Sequence, residues 1–406
     1  MKSSMRKILL LAVVFLLSSS CNSLKLIKLM KKGSVEQESF KTEIPFEMRL
    51  GLVIIPVTIN GKTYDFLVDT GAPNLCSKEL AAELNLKTVV SQKAGDSQGV
   101  KEKLDFVEIP AIYLNGICFK GTGAAVADIN KSEVLSCMKA DGIIGANLMK
   151  EAIWEFDYER QVITVSEKRT SFSIPENAVH VPFSPALTST PRVNISYNGV
   201  EDKNVTFDTG SNGYFASSKE IFKTIKDKNP TLKNAVSHGS SGSGLYGKAA
   251  EDTNYIAQID STQLGGLLIQ NTLVTFEKGA RTLGTKFLKN FRVILDWNAR
   301  EIVLIPVNPF KNSSFESFGF SPFISENKLV VSDLYIDCEA SAKGIKLGTQ
   351  ILEVDGVDYR YCTQEQWCSI VLNGLIPEEK KNMTLIVLID NQELEIQLKK
   401  NDLLNR

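Results

Sequence analysis

The sequence predicts a mainly β protein: two duplicated β lobes followed by a smaller C-terminal module of different pattern. Three observations carry this. Short alternating apolar runs meet turn dipeptides, as half-buried strands do. Anchor segments recur at one offset of 139 positions: Asp69-Thr70-Gly71 with Asp208-Thr209-Gly210, Gly142-Ile143-Ile144-Gly145 with Arg281-Thr282-Leu283-Gly284, and Phe156-Asp157-Tyr158 with Leu295-Asp296-Trp297. Residues 313–400 repeat neither lobe.

Taken in chain order, residues 1–20 read as a signal peptide. Lys2, Arg6 and Lys7 precede an apolar run, Ile8 to Leu17, that is too short to span a bilayer. Ser18-Ser19-Ser20 then lead to Cys21. Small residues ending in Cys resemble a bacterial lipobox, although Ser18 stands where Leu is usual. The resemblance implies that Cys21 becomes the lipidated first residue, tethering an exported protein to a membrane by acyl chains. Asn22 in place of Asp resembles sorting to the outer membrane in a Gram-negative cell, so the expected location is the outer membrane or periplasm. The alternative is an ordinary cleaved signal with Cys21 unmodified. Residues 21–43 read as the lipidated N-terminus and a linker.

The first lobe is expected over 44–170. The alternating run Leu52 to Ile59 meets Asn60-Gly61, a strong hairpin signal. A second strand, Tyr64 to Val68, delivers Asp69 to a glycine turn. Ser77 is a candidate N-cap for a short helix carrying Leu80 and Leu84 on one face. Later strands lead to Ile143-Ile144-Gly145 and to Val162 to Val165. The second lobe, 171–308, repeats this with Asn198-Gly199, Asp208, a helix near Ser218 to Ile225 and a strand from Ile302 to Ile305.

Composition excludes several chemistries. The net charge of −1 leaves no electrostatic footprint for nucleic acid. There are only two histidines, His180 and His238, neither in a spaced motif. A multi-His metal site lacks ligands, and a Ser-His or Cys-His mechanism would rest on one of these two. No metal or cofactor is called for. Six cysteines follow Cys21: Cys76, Cys118 and Cys137, then Cys338, Cys362 and Cys368. Sequence does not give their connectivity, and buried free thiols are the default reading.

Residues 44 to 308 resemble the pepsin and retroviral-type aspartic peptidases, on the two Asp-Thr-Gly triplets and the Gly-ended strand 76 positions after each. The resemblance implies a catalytic dyad of Asp69 and Asp208. It also implies a cross-lobe hydrogen bond through Thr70 and Thr209, and a strand at Gly145 and Gly284 passing close beneath the Asp loops. Gly71 and Gly210 remove side-chain bulk so that backbone N–H groups can approach the carboxylates. Two neighbouring carboxylates share one proton: the ionised member can activate a water, the protonated one can polarise a carbonyl. Ala72 follows one triplet and Ser211 the other. A Ser211 hydroxyl on the carboxylate would favour ionisation, and this asymmetry suggests a dyad working nearer neutral pH. Mobile flaps are expected at Gln92 to Gly99 and at His238 to Gly247; Tyr246 lies in the second, whereas pepsin-like enzymes carry a Tyr in the first. Gly242-x-Gly244-x-x-Gly247 fits the dinucleotide pattern, and Gly242 to Lys248 fits most of a P-loop. Neither has the flanking strand and helix that would make it a phosphate cradle.

In the C-terminal module, Phe318-Gly319-Phe320-Ser321 resembles the carboxylate loop of a PDZ domain. The runs Glu339 to Gly348 and Ile351 to Gly356 strengthen the match, although Thr349 stands where Asp is common. The resemblance implies capture of a peptide C-terminus by strand addition. The leading functional reading is a membrane-anchored aspartic endopeptidase, monomeric because both dyad halves lie in one chain, acting on peptide or protein substrates. The alternative is a non-catalytic peptide-binding lipoprotein using the cleft and the PDZ groove. A third reading, one active lobe pairing with a second chain, is less economical given the duplication.

Overall fold

The computed structural model describes residues 22–240, 242–279, 281–310 and 314–404. Cys21 and the expected signal peptide lie outside them. The described chain is mainly β.

Each of two units is built around the same crossing. In the first, Leu52–Ile59 and Lys62–Asp69 form a hairpin. Its turn residues Asn60 and Gly61 both have positive φ, 50° and 78°, the conformation whose twist matches the flanking strands. Lys62–Asp69 then runs parallel to Gly142–Gly145, with Asp69 opposite Gly145. Leu75–Ser77 pairs antiparallel on the other side of that short strand. The second unit repeats the plan. Pro191–Tyr197 and Val200–Phe207 flank Asn198-Gly199, with φ of 48° and 75°. Val200–Phe207 runs parallel to Thr282–Leu283, which Phe215–Ser217 flanks antiparallel.

The expected helices form where their caps place them. Ser77 accepts the Leu80 N–H at 3.1 Å to start Lys78–Glu83, and Ser218 caps Lys219–Lys228. Each satisfies one otherwise orphaned first-turn donor.

A six-stranded sheet lies across both units. Its order is Val179–Pro182, Glu301–Pro306, Phe291–Asp296, Ile153–Asp157, Val162–Ser166, Lys41–Pro45. The central antiparallel pair, Ile153–Asp157 with Phe291–Asp296, joins the two units through the backbone. Trp154, Phe156, Val293 and Leu295 on that pair are fully buried. Side chains of this size each stabilise by roughly 1.5–3 kcal/mol on burial, so the sheet binds the units and does not merely bridge them.

The N-terminal segment differs from the linker expected over 21–43. Residues 22–31 form a helix whose Leu29 and Met30 are buried against Gly123. Ser34–Val35 pairs with Phe119 and Lys120, and Lys41–Pro45 is the outer strand of the six-stranded sheet. Most of the polar residues of this segment face outward, while the apolar Leu29, Met30, Phe40 and Ile44 find partners in the folded units.

The C-terminal module orders its strands Phe320–Ser325, Lys328–Tyr335, Gln350–Val354, Asn382–Ile389 and Gln392–Lys399, with helices Glu339–Ala342 and Gln364–Asn373. It is built onto both units. Its strand Lys328–Tyr335 pairs with Asn234–Gly239 of the second, and a disulfide, Cys137–Cys368, ties its helix to the first. Cys76, Cys118, Cys338 and Cys362 are free and buried. His180 sits against Glu301 and His238 against Thr253, both in strands.

Asp333 lies in the joint between module and second unit, opposite Gly239 and 2% exposed. Burial pushes its carboxyl up to about 6, although hydrogen bonds from Ser237 and Asn254 pull the other way. A carboxyl raised on folding stabilises the fold below its unfolded pKa, and that contribution is lost as pH rises through the folded value. Between pH 4 and pH 6 thermal stability should therefore fall with rising pH at this joint. Asp333→Asn should make the fall shallower by this residue's share and gain about 3 kcal/mol above pH 6, from roughly two units at 1.4 kcal/mol each. Thermal unfolding of parent and variant across this range checks it; parallel curves would refute it.

Candidate active site

The two Asp-Thr-Gly turns meet and interlock. Thr70 Oγ1 donates to the Phe207 carbonyl at 2.5 Å and accepts the Thr209 N–H at 3.0 Å. Thr209 Oγ1 donates to the Val68 carbonyl at 2.9 Å and accepts the Thr70 N–H at 3.0 Å. Each hydroxyl thus satisfies one donor and one acceptor of the opposite loop, and both threonines are fully buried. Valine at either position keeps the shape but strands a buried N–H and a buried carbonyl. At about 1–3 kcal/mol per unsatisfied group, Thr70→Val should cost about 2–6 kcal/mol in denaturant unfolding, and Thr70→Ser much less. Equal losses for the two would exclude the hydroxyl as the cause.

The glycines serve the opposite aspartate. A Cβ on Gly210 would lie 2.5 Å from Asp69 Oδ1, and one on Gly71 would lie 2.6 Å from Asp208 Oδ1. Each carboxylate therefore rests against the other loop's backbone, where no side chain fits. The approach of their own N–H groups to the carboxylates, expected from the sequence, also occurs. Asp69 Oδ1 accepts Gly71 N–H at 2.7 Å and Ala72 N–H at 3.1 Å, while Asp208 Oδ1 accepts Gly210 N–H at 2.9 Å.

Asp69 and Asp208 are half-buried and act directly on each other's charge. Burial raises both carboxyls. Asp208 is pushed well above the ordinary carboxylate range, first by burial and then by the charge of Asp69. Asp69 is raised by burial but is held back by hydrogen bonds from Asp208 and the N–H groups of Gly71 and Ala72. Two carboxylates in contact cannot both ionise easily. The pair keeps one proton where isolated carboxylates keep none, and the stronger upward push on Asp208 favours charge on the Asp69 side.

Ser211 does not meet the expectation placed on it. Its hydroxyl lies 3.4 Å from Thr282 Oγ1 and accepts Gly213 N–H at 3.4 Å, turned toward the neighbouring strand. The backbone of the Ser211 turn, not the side chain, serves Asp208, and the near-neutral asymmetry has no hydroxyl to carry it.

Gly145 and Gly284 lie where the short strands pass the Asp loops. A Cβ on Gly145 would strike the Pro73 and Asn74 backbone and lie 2.5 Å from the Ala72 carbonyl oxygen; one on Gly284 would lie 2.5 Å from the Gly213 carbonyl oxygen. Two residues missed from sequence brace this crossing. Asn74 Oδ1 accepts Gly145 N–H at 2.7 Å, and Asn147 Oδ1 accepts Asn74 N–H at 2.6 Å while its amide donates to Gly123. At the 139-residue offset the second unit has Gly213 and Lys286, so the repeat offered no signal for them. There Thr285 Oγ1 donates to the carbonyls of Ser211 and Gly51.

Phe318, Gly319 and Phe320 lie in the C-terminal module, within a different apolar cluster from the dyad loops. Gly319 has φ +91°, and a Cβ there would meet Cys338. Among the described residues no group of three or more His, Cys, Asp or Glu is placed to hold a metal ion.

A protein-family model described as Aspartyl protease matches residues 55–148. The matched span contains Asp69-Thr70-Gly71 and Gly145, and it is an aspartyl protease-like domain within a mainly β, acid-protease-like fold. No curated protein matches the chain.

Proposed function

We propose that the aspartyl protease-like domain and its second copy form one complete aspartic endopeptidase, with Asp69 and Asp208 as its dyad. The reciprocal Thr70–Thr209 hydrogen bonds are the observation that carries this reading, because they bring both carboxylates of one chain together. Asp69, as the ionised member, takes a proton from a water held at the dyad. The water oxygen attacks the scissile carbonyl carbon while the Asp208 proton moves to the carbonyl oxygen. Collapse of the resulting diol breaks the C–N bond, returns a proton to the dyad and delivers one to the leaving amine. No covalent intermediate is needed. With both dyad halves in one chain, the active unit is a monomer.

The C-terminal module is read as a PDZ-like domain that takes a peptide C-terminus. A cavity of about 220 Å³ beside Phe318 and Phe320, closed by Leu375, Ile376 and Met383, supports this. So does the strand Phe320–Ser325, which pairs on one side only among the described residues. Export and a lipid anchor at Cys21 rest on the N-terminal sequence, and the Cys137–Cys368 disulfide suits an oxidising compartment.

The test is incubation of the purified chain, without its first 21 residues, with a diverse peptide mixture from pH 3 to 8, about the span from carboxylate to above histidine reference values. Cleavage supports the reading. Peptide binding without cleavage at any pH would establish the non-catalytic alternative instead.

A further inference from the structure

The glycine-rich run Gly242-x-Gly244-x-x-Gly247 has a use in the fold that needs no nucleotide. Gly244 and Gly247 lie in a small two-stranded hairpin of the second unit, Ser243–Gly244 with Gly247–Lys248, which reaches across to the tip of the first unit's hairpin. That tip, between Thr88–Gly95 and Lys101–Leu114, is organised by Asp96. Asp96 Oδ1 accepts the N–H groups of Gln98 and Val100, both at 3.0 Å, closing the turn. Its other oxygen, Oδ2, accepts the N–H of Tyr246 at 3.2 Å from the opposite unit. Tyr246 also donates its hydroxyl to the Ala94 carbonyl at 3.4 Å. The glycines permit this approach: a Cβ on Gly244 would fall on the Asp96 carboxylate, and one on Gly242 would lie 3.3 Å from Gln98 Nε2. Leu245, Tyr246 and Ala94 pack on the same apolar cluster as Ala72, Leu67 and Leu75 around the Asp69 loop.

We propose that Asp96 is a latch, which holds the tip of the first hairpin on the second-unit loop beside the Asp69 loop and must part before a peptide can reach the dyad. This rests on the endopeptidase reading. The moving side is the first hairpin, because the second-unit loop is held at three other points. Ser240 N–H donates to the Ser332 carbonyl at 2.9 Å, Ser132 donates its hydroxyl to the Gly244 carbonyl at 3.1 Å, and the Lys248 ammonium lies 5.5 Å from the Phe323 ring centre. Two of these anchors, Ser332 and Phe323, belong to the C-terminal module. The module therefore acts as a wall that fixes one jaw of the clasp, and the exposed tip of the first hairpin is the other jaw. A contact made in the substrate-free state lowers the fraction of chains competent to bind, and so raises the apparent KM.

Two variants separate the latch from the turn. Asp96→Asn offers one oxygen and one amide where two acceptors are needed, so it keeps either the turn bonds or the Tyr246 bond. Gly244→Ala leaves the Asp96 turn bonds in place, while its methyl, set against Asp96 Oδ2, pushes the whole tip off the second-unit loop. In each, amide hydrogen exchange over residues 92–100 should quicken about tenfold, the worth of one charge-assisted hydrogen bond. The KM for a peptide substrate should fall three- to tenfold. Tyr246→Phe keeps its backbone N–H and should shift both readings less. Unchanged exchange, or a KM that stays level or rises, overturns the proposal. If the parent hydrolyses no peptide, the endopeptidase reading fails separately, and exchange alone decides the latch.

Discussion

Replacing Asp69 or Asp208 with Asn is expected to reduce peptide hydrolysis by about four orders of magnitude, since each change removes a general acid–base group worth roughly 10²–10⁴ and also disrupts the shared proton. Initial rates on one cleaved peptide measure it. A variant retaining a tenth of parental activity would sink the dyad assignment. The same variants should not be unfolded. Asp208 has its carboxyl raised on folding, first by burial and then by Asp69. Its contribution to stability is present below the unfolded pKa and is lost as pH rises through the folded one. Asp208→Asn should therefore melt higher than the parent at neutral pH, with the gap closing below about pH 4. A variant both inactive and more stable cannot owe its inactivity to unfolding.

The second large effect is expected at Gly145→Ala, a loss of about 3 kcal/mol or more in unfolding free energy. Gly145 has φ −103°, a conformation open to any residue, so backbone strain is not the cause. The added methyl would strike the Pro73 and Asn74 main chain. A main-chain obstacle cannot rotate away, so the cost sits at or beyond the upper end of ordinary overpacking. Gly61→Ala is the contrasting control. It has φ +78° with nothing within 4 Å of its Cβ, so it should lose only about 1 kcal/mol from conformation. Denaturant melts of both decide the matter: if Gly61→Ala proves the more damaging, close packing at the crossing is not what Gly145 provides.

Local features of the fold were legible because local physics determines them. Asn60-Gly61 and Asn198-Gly199 announced hairpins, since few residues accept two consecutive positive φ values. Ser77 and Ser218 announced helix starts, since a hydroxyl is the cheapest partner for an orphan N–H. Asp69 and Asp208 were legible because the duplication marks them as equivalent points. Asn74 and Asn147 were not, because they act only on a loop brought to them by tertiary folding and have no counterparts in the second unit. The Ser211 hydroxyl was assigned to Asp208 on adjacency in the chain, but side-chain direction follows the turn, which aims it at Thr282.

The β class, the two equivalent aspartates and the turns that carry them can be read along the chain, because strand alternation, turn dipeptides and a repeated offset are properties of neighbours. Folding in three dimensions fixed which groups touch. It set Gly71 under Asp208 and Gly210 under Asp69, wove residues 41–45 into the six-stranded sheet, and joined the C-terminal module to both units by a strand and a disulfide. The reason is physical: buried hydrogen-bonding groups and close backbone approaches are satisfied across long sequence separations, and no local pattern records the partner that will arrive.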